Sequence, residues 1–153
     1  MDIRTLDRSD LHELLELYQH LHTSDDPLPA SKQIEATWSE IMANKGIRYF
    51  GGFVQGKLIS CCSICIIPNL TRGCRPYGVI ENVVTRRDHR KRGYGTAVLH
   101  AALGYAWQLE CYKVMLLSGR SNSETLRFYE SAGFDPNAKQ AFIAKPVQPV
   151  IER

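Results

Sequence analysis

Two helices are predicted in the first third of the chain, because apolar residues recur there at steps of three and four positions. The first stripe follows Ser9, a candidate N-cap, and consists of Leu11, Leu14, Leu15, Tyr18 and Leu21. The second begins near Ser31, can end at Gly46, and consists of Ile34, Trp38, Ile41 and Met42. A short segment before them, residues 2–6, predicts a first strand.

Apolar runs in the middle of the chain predict strands at residues 47–54, 58–67 and 77–84, and Gln55-Gly56-Lys57 between the first two predicts a hairpin. Beyond them the pattern predicts a helix over 96–109, a strand over 112–117, a short helix over 123–131 and a last strand over 138–144. The order β-α-α-β-β-β-α-β-α-β is typical of an α/β or α+β fold with a mixed sheet. The strands 77–84 and 112–117 flank a helix and should run parallel.

Length and composition are those of a single domain, which we expect to span residues 1–153. The net charge of +3 is too small for a histone-like protein or a general nucleic-acid binder. No apolar run approaches the roughly 20 residues of a membrane span, and the first residues, Met-Asp-Ile-Arg, lack the apolar core of a signal peptide. We therefore expect a cytoplasmic protein with neither a nucleic-acid nor a membrane partner.

Five cysteines, an odd number without a signal peptide, favour reduced thiols. Cys62 and Cys65 form a single C-x-x-C inside an apolar run, whereas a zinc ribbon would need a second such pair. We expect both to be buried as small apolar side chains, and we predict no metal site.

The stretch 83–97, VVTRRDHRKRGYGTA, joins the end of a buried strand to the start of a helix. It carries five basic residues against the single acid Asp88. Gly93 and Gly95 let the backbone approach an anion, and the first amides of a helix lack intrahelical partners. Basic residues at a helix N-terminus oppose the helix dipole, and a bound anion would remove that conflict. On spacing alone, a solvated basic loop and a nucleic-acid patch are the alternatives, although the patch would lack interleaved aromatic residues.

The pattern R-x-x-G-x-G at residues 90–95, and Asn122 and Tyr129 in SNSETLRFYESAGF, resemble two motifs of the GNAT superfamily of N-acetyltransferases. The motifs stand in the order and at the separation familiar there, and the element order is similar over roughly residues 2–145. The closest resemblance is to the glucosamine-6-phosphate N-acetyltransferase branch. The resemblance implies the acyl-CoA N-acyltransferase fold and acetyl-CoA as the donor.

The resemblance also implies which residues bind acetyl-CoA. Its diphosphate would lie on the backbone amides of a loop formed by Arg90, Lys91, Arg92, Gly93, Tyr94, Gly95 and Thr96. The strand before the loop would splay from its neighbour, so that the backbone of Val83, Val84 and Thr85 binds the pantetheine arm and polarises the thioester carbonyl. Asn122 would contact the arm.

Two side chains are candidates for proton transfer. Tyr129 would protonate the departing thiolate, the alternative being a tyrosine packed in the core. Glu81 stands two residues before Val83, so simple alternation places both on one face, with Asn82 opposite unless a bulge turns it inward. A carboxylate within an apolar strand needs a partner. Glu81 would therefore accept the amine's proton, directly or through water, or form a salt bridge to Arg72, Arg75 or a loop lysine.

The acceptor is less defined than the donor. Arg72 and Arg75, in loop 68–76, could bind a phosphate or a carboxylate, or simply contribute surface charge. The acceptor classes are a sugar phosphate, an amino acid, a polyamine, an antibiotic and a peptide N-terminus, and one of His12, His20 and His22 could line the substrate site. The branch resemblance implies a homodimer formed through the C-terminal strands. A non-catalytic acyl-CoA-sensing module of the same fold is the alternative function.

Overall fold

A computed structural model describes residues 1–22 and 24–146 of the chain. The chain divides into two compact units, Met1–Ser118 and Gly119–Arg153, which are described separately below. The first unit contains a five-stranded sheet with three α-helices, and the second contains one α-helix.

The elements of the first unit follow the predicted order closely. The strands are β1 (Asp2–Thr5), β2 (Ile47–Val54), β3 (Lys57–Ile67), β4 (Tyr77–Thr85) and β5 (Val114–Leu116). The helices are α1 (Leu11–Tyr18), α2 (Ser31–Ala43) and α3 (Tyr94–Gln108), with 3₁₀ turns at Arg8–Asp10 and Arg87–His89. In the second unit, α4 (Ser123–Ser131) has the predicted limits.

The sheet is mixed, as predicted, and its strands lie in chain order from β1 to β5. The first four strands are antiparallel to their neighbours, and β5 is parallel to β4. The β4–α3–β5 crossover is therefore the parallel unit that the sequence predicts.

Each face of the sheet is covered by helices. Leu14 and Leu17 of α1 and Trp38 of α2 pack in one cluster with Tyr49 and Cys61 of the sheet. Successive residues of a strand point to opposite faces. Cys62 accordingly lies on the α3 side, where its Sγ is 3.5 Å from the Val98 carbonyl oxygen. Helix α3 buries Val98 and Leu99 completely, which anchors it against this face.

The predicted hairpin is confirmed and has a two-residue turn. Gln55 and Gly56 have φ values of 51° and 78°, and Val54 pairs directly with Lys57. Positive φ at both central residues is the requirement of a type I′ turn, which matches the twist of the flanking strands.

The start of the first helix differs from the prediction that Ser9 caps it. Asp7 caps a 3₁₀ turn instead: its side chain accepts from the Ser9 amide, and the Asp10 carboxylate accepts from the Asp7 amide. Arg4 holds the same Asp10 carboxylate through two 2.7 Å hydrogen bonds. This network moves the helix start to Leu11, and α1 ends at Tyr18 rather than continuing to Leu21.

The predicted last strand, 138–144, is wrong. Residues 138–146 have no regular secondary structure, and Phe142 and Ile143 are 90% and 67% exposed. Alternating apolar residues favour a strand, but the hydrogen bonds of a strand must come from a neighbouring strand. In the part of the chain that the structure describes, no helix has the length and apolar character needed to cross a membrane.

Candidate functional site

Strand β4 contains a bulge at its centre. Cys61 of β3 pairs with Val84, and Ser63 pairs with Glu81, so two steps along β3 lie opposite three steps along β4. Asn82 lies within the longer side and adopts the left-handed conformation, with φ of 53°. The sequence signal for this bulge is an asparagine in a strand, a residue that is depleted in strands and tolerates positive φ.

The bulge changes the face to which Glu81 belongs. Its pairing partner Ser63 lies two residues from Cys61, so Glu81 shares a face with Val84 and not with Val83 as predicted. The Glu81 side chain is exposed, so it does not need a partner to offset burial. None of the ion pairs within 4.0 Å among the described residues involves Glu81, so it forms no salt bridge to Arg72 or Arg75.

Two serines on β3 stabilise the bulged backbone. Ser63 donates to the Glu81 carbonyl at 3.1 Å, and Ser60 donates to the Val84 carbonyl at 2.9 Å. Both serines are buried, and their hydroxyl groups supply hydrogen bonds that a regular ladder would otherwise provide. Their importance could not be read from the sequence, where they look like small residues in an apolar run.

Asn82 lies beside a buried pair of tyrosines, Tyr18 of α1 and Tyr49 of β2. Burial raises the pKa of both tyrosines. The side chains of Tyr18, Ser63 and Asn82 lie near the Tyr49 hydroxyl and partly oppose the rise in its pKa. The bulge that the sequence analysis allowed for thus brings Asn82 to this polar cluster, which was not predicted.

The second half of β4 has one edge that β5 does not cover. Among the described residues, β5 pairs with β4 at Gly78, Val79 and Ile80 and no further. The backbone from Glu81 to Thr85, which includes the predicted pantetheine-binding residues Val83, Val84 and Thr85, therefore extends past the end of β5. Among the described residues, β4 therefore has no β5 partner over the segment to which the resemblance assigns the cofactor arm.

The basic loop, residues 86–93, connects β4 to α3. Lys91 and Gly93 have φ values of 61° and 81°, and Gly93 is the N-cap of α3. No side chain caps the first turn, and that turn has no acidic residue. A Cβ at Gly93 would meet nothing within 4 Å. Among the described residues, the first amides of α3 therefore have no side-chain cap and follow a basic loop, an arrangement that could hold an anion.

Arg90 makes two contacts within the protein that the sequence did not indicate. Its Nε donates to the Thr85 carbonyl at 3.2 Å, and its Nη2 donates to the His20 carbonyl at 3.0 Å. Thr85 precedes the 3₁₀ turn Arg87–His89, and Arg90 follows it. The Arg90 guanidinium therefore connects the two ends of this turn and binds them to His20, which lies after α1. Arg90 and Arg92 are both exposed.

The second unit contains the other two predicted site residues. Asn122 is the N-cap of α4, and its Oδ1 accepts from the amides of Glu124 and Thr125 at 3.0 and 3.1 Å. Tyr129 is half-buried, with its ring centroid 4.9 Å from that of Phe128 and 6.2 Å from that of Phe134. Asn122 thus has a structural role in the helix start that the sequence analysis did not assign to it.

Arg72 and Arg75 lie in the loop that enters β4, at the end of the strand opposite to the basic loop. Both are exposed, and Arg75 Nε donates to the Arg72 carbonyl at 3.2 Å. The Arg72 guanidinium lies 5.9 Å from the centre of the Tyr112 ring. The loop enters β4 at Tyr77, and the four residue steps from Tyr77 to Glu81 span roughly 13 Å along the strand.

The cysteines are thiols without an evident chemical role. Cys61, Cys62 and Cys111 are buried, and burial raises the pKa of Cys62 to about 12. Cys62 and Cys65 are three positions apart and so point to opposite faces of β3, and Cys65 is half-buried rather than buried as predicted. Among residues 1–22 and 24–146, no three His, Cys, Asp or Glu side chains are placed to hold a metal ion.

Comparison with known proteins relates the chain to acetyltransferases. Residues 11–134 match the acetyltransferase (GNAT) family. Glucosamine 6-phosphate N-acetyltransferase of Trypanosoma brucei brucei is 33% identical over 142 residues, which cover 92% of each chain. The solved structure of a putative acetyltransferase from Agrobacterium tumefaciens has a TM-score of 0.88 at 41% identity, over 95% of this chain and 100% of the other. Glucosamine-6-phosphate N-acetyltransferase from Arabidopsis thaliana has a TM-score of 0.77 at 25% identity, over 95% and 97%.

Proposed function

We propose, from the premise that the chain belongs to the acetyltransferase (GNAT) family, that it transfers the acetyl group of acetyl-CoA directly to a primary amine of a small molecule. The N-acetyltransferase class predicted from the sequence is confirmed by the family match and by the relatives' names. The observation that carries the proposal is the N-terminus of α3, which has no side-chain cap and follows a basic loop.

The donor binds along the C-terminal end of β4 and the start of α3. The cofactor diphosphate accepts hydrogen bonds from the amides of residues 91–96, and Lys91 and Arg92 add positive charge. The pantetheine arm lies along Val83, Val84 and Thr85, where β4 extends beyond β5. A backbone amide of this segment polarises the thioester carbonyl, as an oxyanion hole does.

The transfer needs a neutral amine, a polarised carbonyl and a proton for the leaving group. The amine nitrogen attacks the thioester carbon, and the carbon–sulfur bond breaks as the acetyl–nitrogen bond forms. Glu81 accepts the proton that the amine loses, through a water molecule, and its exposed carboxylate is consistent with that role. Tyr129 donates its hydroxyl proton to the CoA thiolate. No cysteine is acetylated on the way, and the buried Cys111 takes no part.

An amino sugar phosphate is the acceptor that we propose. Two relatives of the chain are named as glucosamine 6-phosphate N-acetyltransferases, and Arg72 and Arg75 offer guanidinium groups for a phosphate. Asn122 contacts the cofactor arm in addition to capping α4.

The assembly that we propose is a homodimer of single-domain subunits in the cytoplasm. The family match covers residues 11–134 and so includes parts of both compact units, which supports one acetyltransferase domain. Phe142 and Ile143 are exposed in the segment 138–144, and a second copy could bury them. Sedimentation at micromolar concentration should give a dimer, and a monomer would contradict this assembly.

An acceptor screen tests the proposed reaction. Acetyl-CoA is mixed with the protein and with glucosamine 6-phosphate, glucosamine, a polyamine or an amino acid, and free CoA thiol is measured. Glucose 6-phosphate, which has the phosphate but no amine, is the control. We expect thiol release with glucosamine 6-phosphate at the highest kcat/KM. Tight CoA binding without acetylation of any amine would instead support the acyl-CoA-sensing alternative.

A further inference from the structure

His20, the second residue after α1, contacts the basic loop with both its side chain and its backbone. The Arg87 amide donates to His20 Nδ1 at 3.4 Å. The His20 carbonyl accepts from Arg90 Nη2 at 3.0 Å. His20 lies outside the basic loop and accepts hydrogen bonds from two residues of that loop, Arg87 and Arg90.

Two neighbouring contacts attach the same part of the loop. Arg90 Nε donates to the Thr85 carbonyl, where β4 ends, at 3.2 Å. Arg86 Nη1 lies 4.0 Å from Glu16 Oε2 on α1. The loop thus contacts the end of α1 and the residues just after it from Arg86 to Arg90, immediately before the start of α3.

The hydrogen bond from the Arg87 amide requires a neutral imidazole with an unprotonated Nδ1. Partial burial of His20 lowers its pKa, and the charges of Arg86 and Arg87 lower it further. The charged groups that act on the imidazole are Arg86, Arg87, Asp88 and Arg90 of the loop, and Glu16 on α1 pairs with Arg86. Asp88 opposes the lowering, but the arginines and burial outweigh it.

We propose that His20 is a positioning residue, which in its neutral form holds the basic loop in the shape that binds the CoA diphosphate and which releases the Arg87 amide when it is protonated. The inference rests on the proposed function in one respect, that the anion is the diphosphate of CoA. A loop that is already ordered loses less conformational entropy on binding, so the His20 contact increases affinity without touching the ligand.

Three variants separate this role from a general loss of structure. His20→Ala removes the acceptor, and His20→Asn keeps an acceptor near the position of Nδ1. His12→Ala is the matched control, because His12 lies on α1 before His20, its side chain is 85% exposed, and its Nδ1 lies 3.7 Å from Glu16 Oε1. Above the usual histidine pKa of about 6.5, we expect His20→Ala to weaken CoA binding about fivefold, the effect of one ordinary hydrogen bond. His20→Asn and His12→Ala should bind CoA like the wild type.

Steady-state kinetics gives a second readout of the same variants. The KM for acetyl-CoA should rise in His20→Ala, while kcat at saturating acetyl-CoA and the KM for the acceptor stay unchanged. A fall in kcat alone would overturn the positioning role, because it would place His20 in the chemical step.

Amide hydrogen exchange in the CoA-free protein tests the hold on the loop itself. Protection of residues 86–90 should fall in His20→Ala and should be retained in His20→Asn. In the wild type it should also fall as the pH drops through the lowered pKa of His20, and this pH dependence should be absent from His20→Asn. Equal protection in His20→Ala and wild type would overturn the inference. Failure of the wild type to bind CoA would overturn the proposed function instead, while the exchange result would still decide whether His20 orders the loop.

Discussion

Helices α3 and α4 begin in opposite ways. At α4, Asn122 accepts two backbone hydrogen bonds and Glu124 adds a negative charge to the first turn. At α3, the N-cap is Gly93, no acidic residue is present in the first turn, and a basic loop precedes it. At the start of each helix, the first amides lack intrahelical partners and the helix dipole has its positive end. Among the described residues, a side chain of the chain caps the start of α4, and none caps the start of α3.

Packing explains why α3 can lack a cap. Helix α3 has 15 residues and buries Val98, Leu99, Ala102 and Ala106 against the sheet. Helix α4 has nine residues and buries none of them fully. A short helix with little burial depends on its cap, whereas burial can hold a long helix whose first turn is left open. This difference makes the start of α3 available for binding without loss of the fold.

The largest effect that we expect arises on the capped helix, at Tyr129. Tyr129→Phe keeps the ring and its packing against Phe128 and Phe134 but removes the proton. General acids typically contribute about 10²–10⁴-fold, so kcat should fall by that range while CoA affinity stays unchanged. The measurement is steady-state kinetics on the acceptor from the screen. Wild-type turnover, with the chemical step shown to limit the rate, would assign the proton to water and leave α4 without a catalytic residue.

The next effect should appear in the strand that leads to α3. Glu81→Gln keeps the size of the side chain and loses the base, and activity should fall about a hundredfold, at the low end of such effects. The loss should be greatest at low pH, where the acceptor amine is protonated, and should lessen as free amine becomes abundant. Stability should not change, since Glu81 is exposed and forms none of the ion pairs within 4.0 Å among the described residues. A pH–rate profile parallel to that of the wild type would show that Glu81 is not the base.

Substitution of Gly93 tests the open helix start directly. Gly93→Ala and Gly93→Asp carry the same strain, because φ is 81°, and neither Cβ meets another atom within 4 Å. Asp also places a negative charge at the amides, where it competes with a phosphate. CoA affinity measured by calorimetry should fall about tenfold further in Gly93→Asp than in Gly93→Ala, the value of roughly one charge-assisted hydrogen bond. Equal affinities in the two variants would argue that the diphosphate lies elsewhere.

The smallest effect concerns the cap of α4. Asn122→Ala should lower the free energy of unfolding by about 1 kcal/mol, the usual value of an N-cap. Asn122→Asp keeps the cap and should retain stability in chemical denaturation. If Asn122 also contacts the cofactor, Asn122→Asp should still weaken CoA binding. Wild-type CoA affinity in Asn122→Asp, together with weakened binding in Asn122→Ala, would restrict Asn122 to its cap.

Much of the fold could be predicted from the chain because local patterns dominate it. The apolar runs and Gln55-Gly56-Lys57 define the β2–β3 hairpin, and the elements β4, α3 and β5 follow in the predicted parallel arrangement. The glycines and basic residues before α3 likewise indicate an anion site, because glycine geometry and charge at a helix start are local properties. The strand prediction for residues 138–144 is wrong because a strand depends on a distant partner. The alternation of apolar and polar residues does not indicate which strand would pair with this segment.

The sequence by itself determined the order of the elements from β1 to α4, the β2–β3 hairpin, and the residue types at the start of α3 and of α4. Only the tertiary structure determined on which face a side chain lies and which distant residues it contacts. The bulge at Asn82 depends on the register between β3 and β4, and it moved Glu81 to the face of Val84. The contact of Arg90 with His20 depends on how α1 packs beside a loop 70 residues away. Side-chain type and local spacing can be read directly from the sequence. Strand register and contacts between distant segments arise from packing, and no local pattern predicts them.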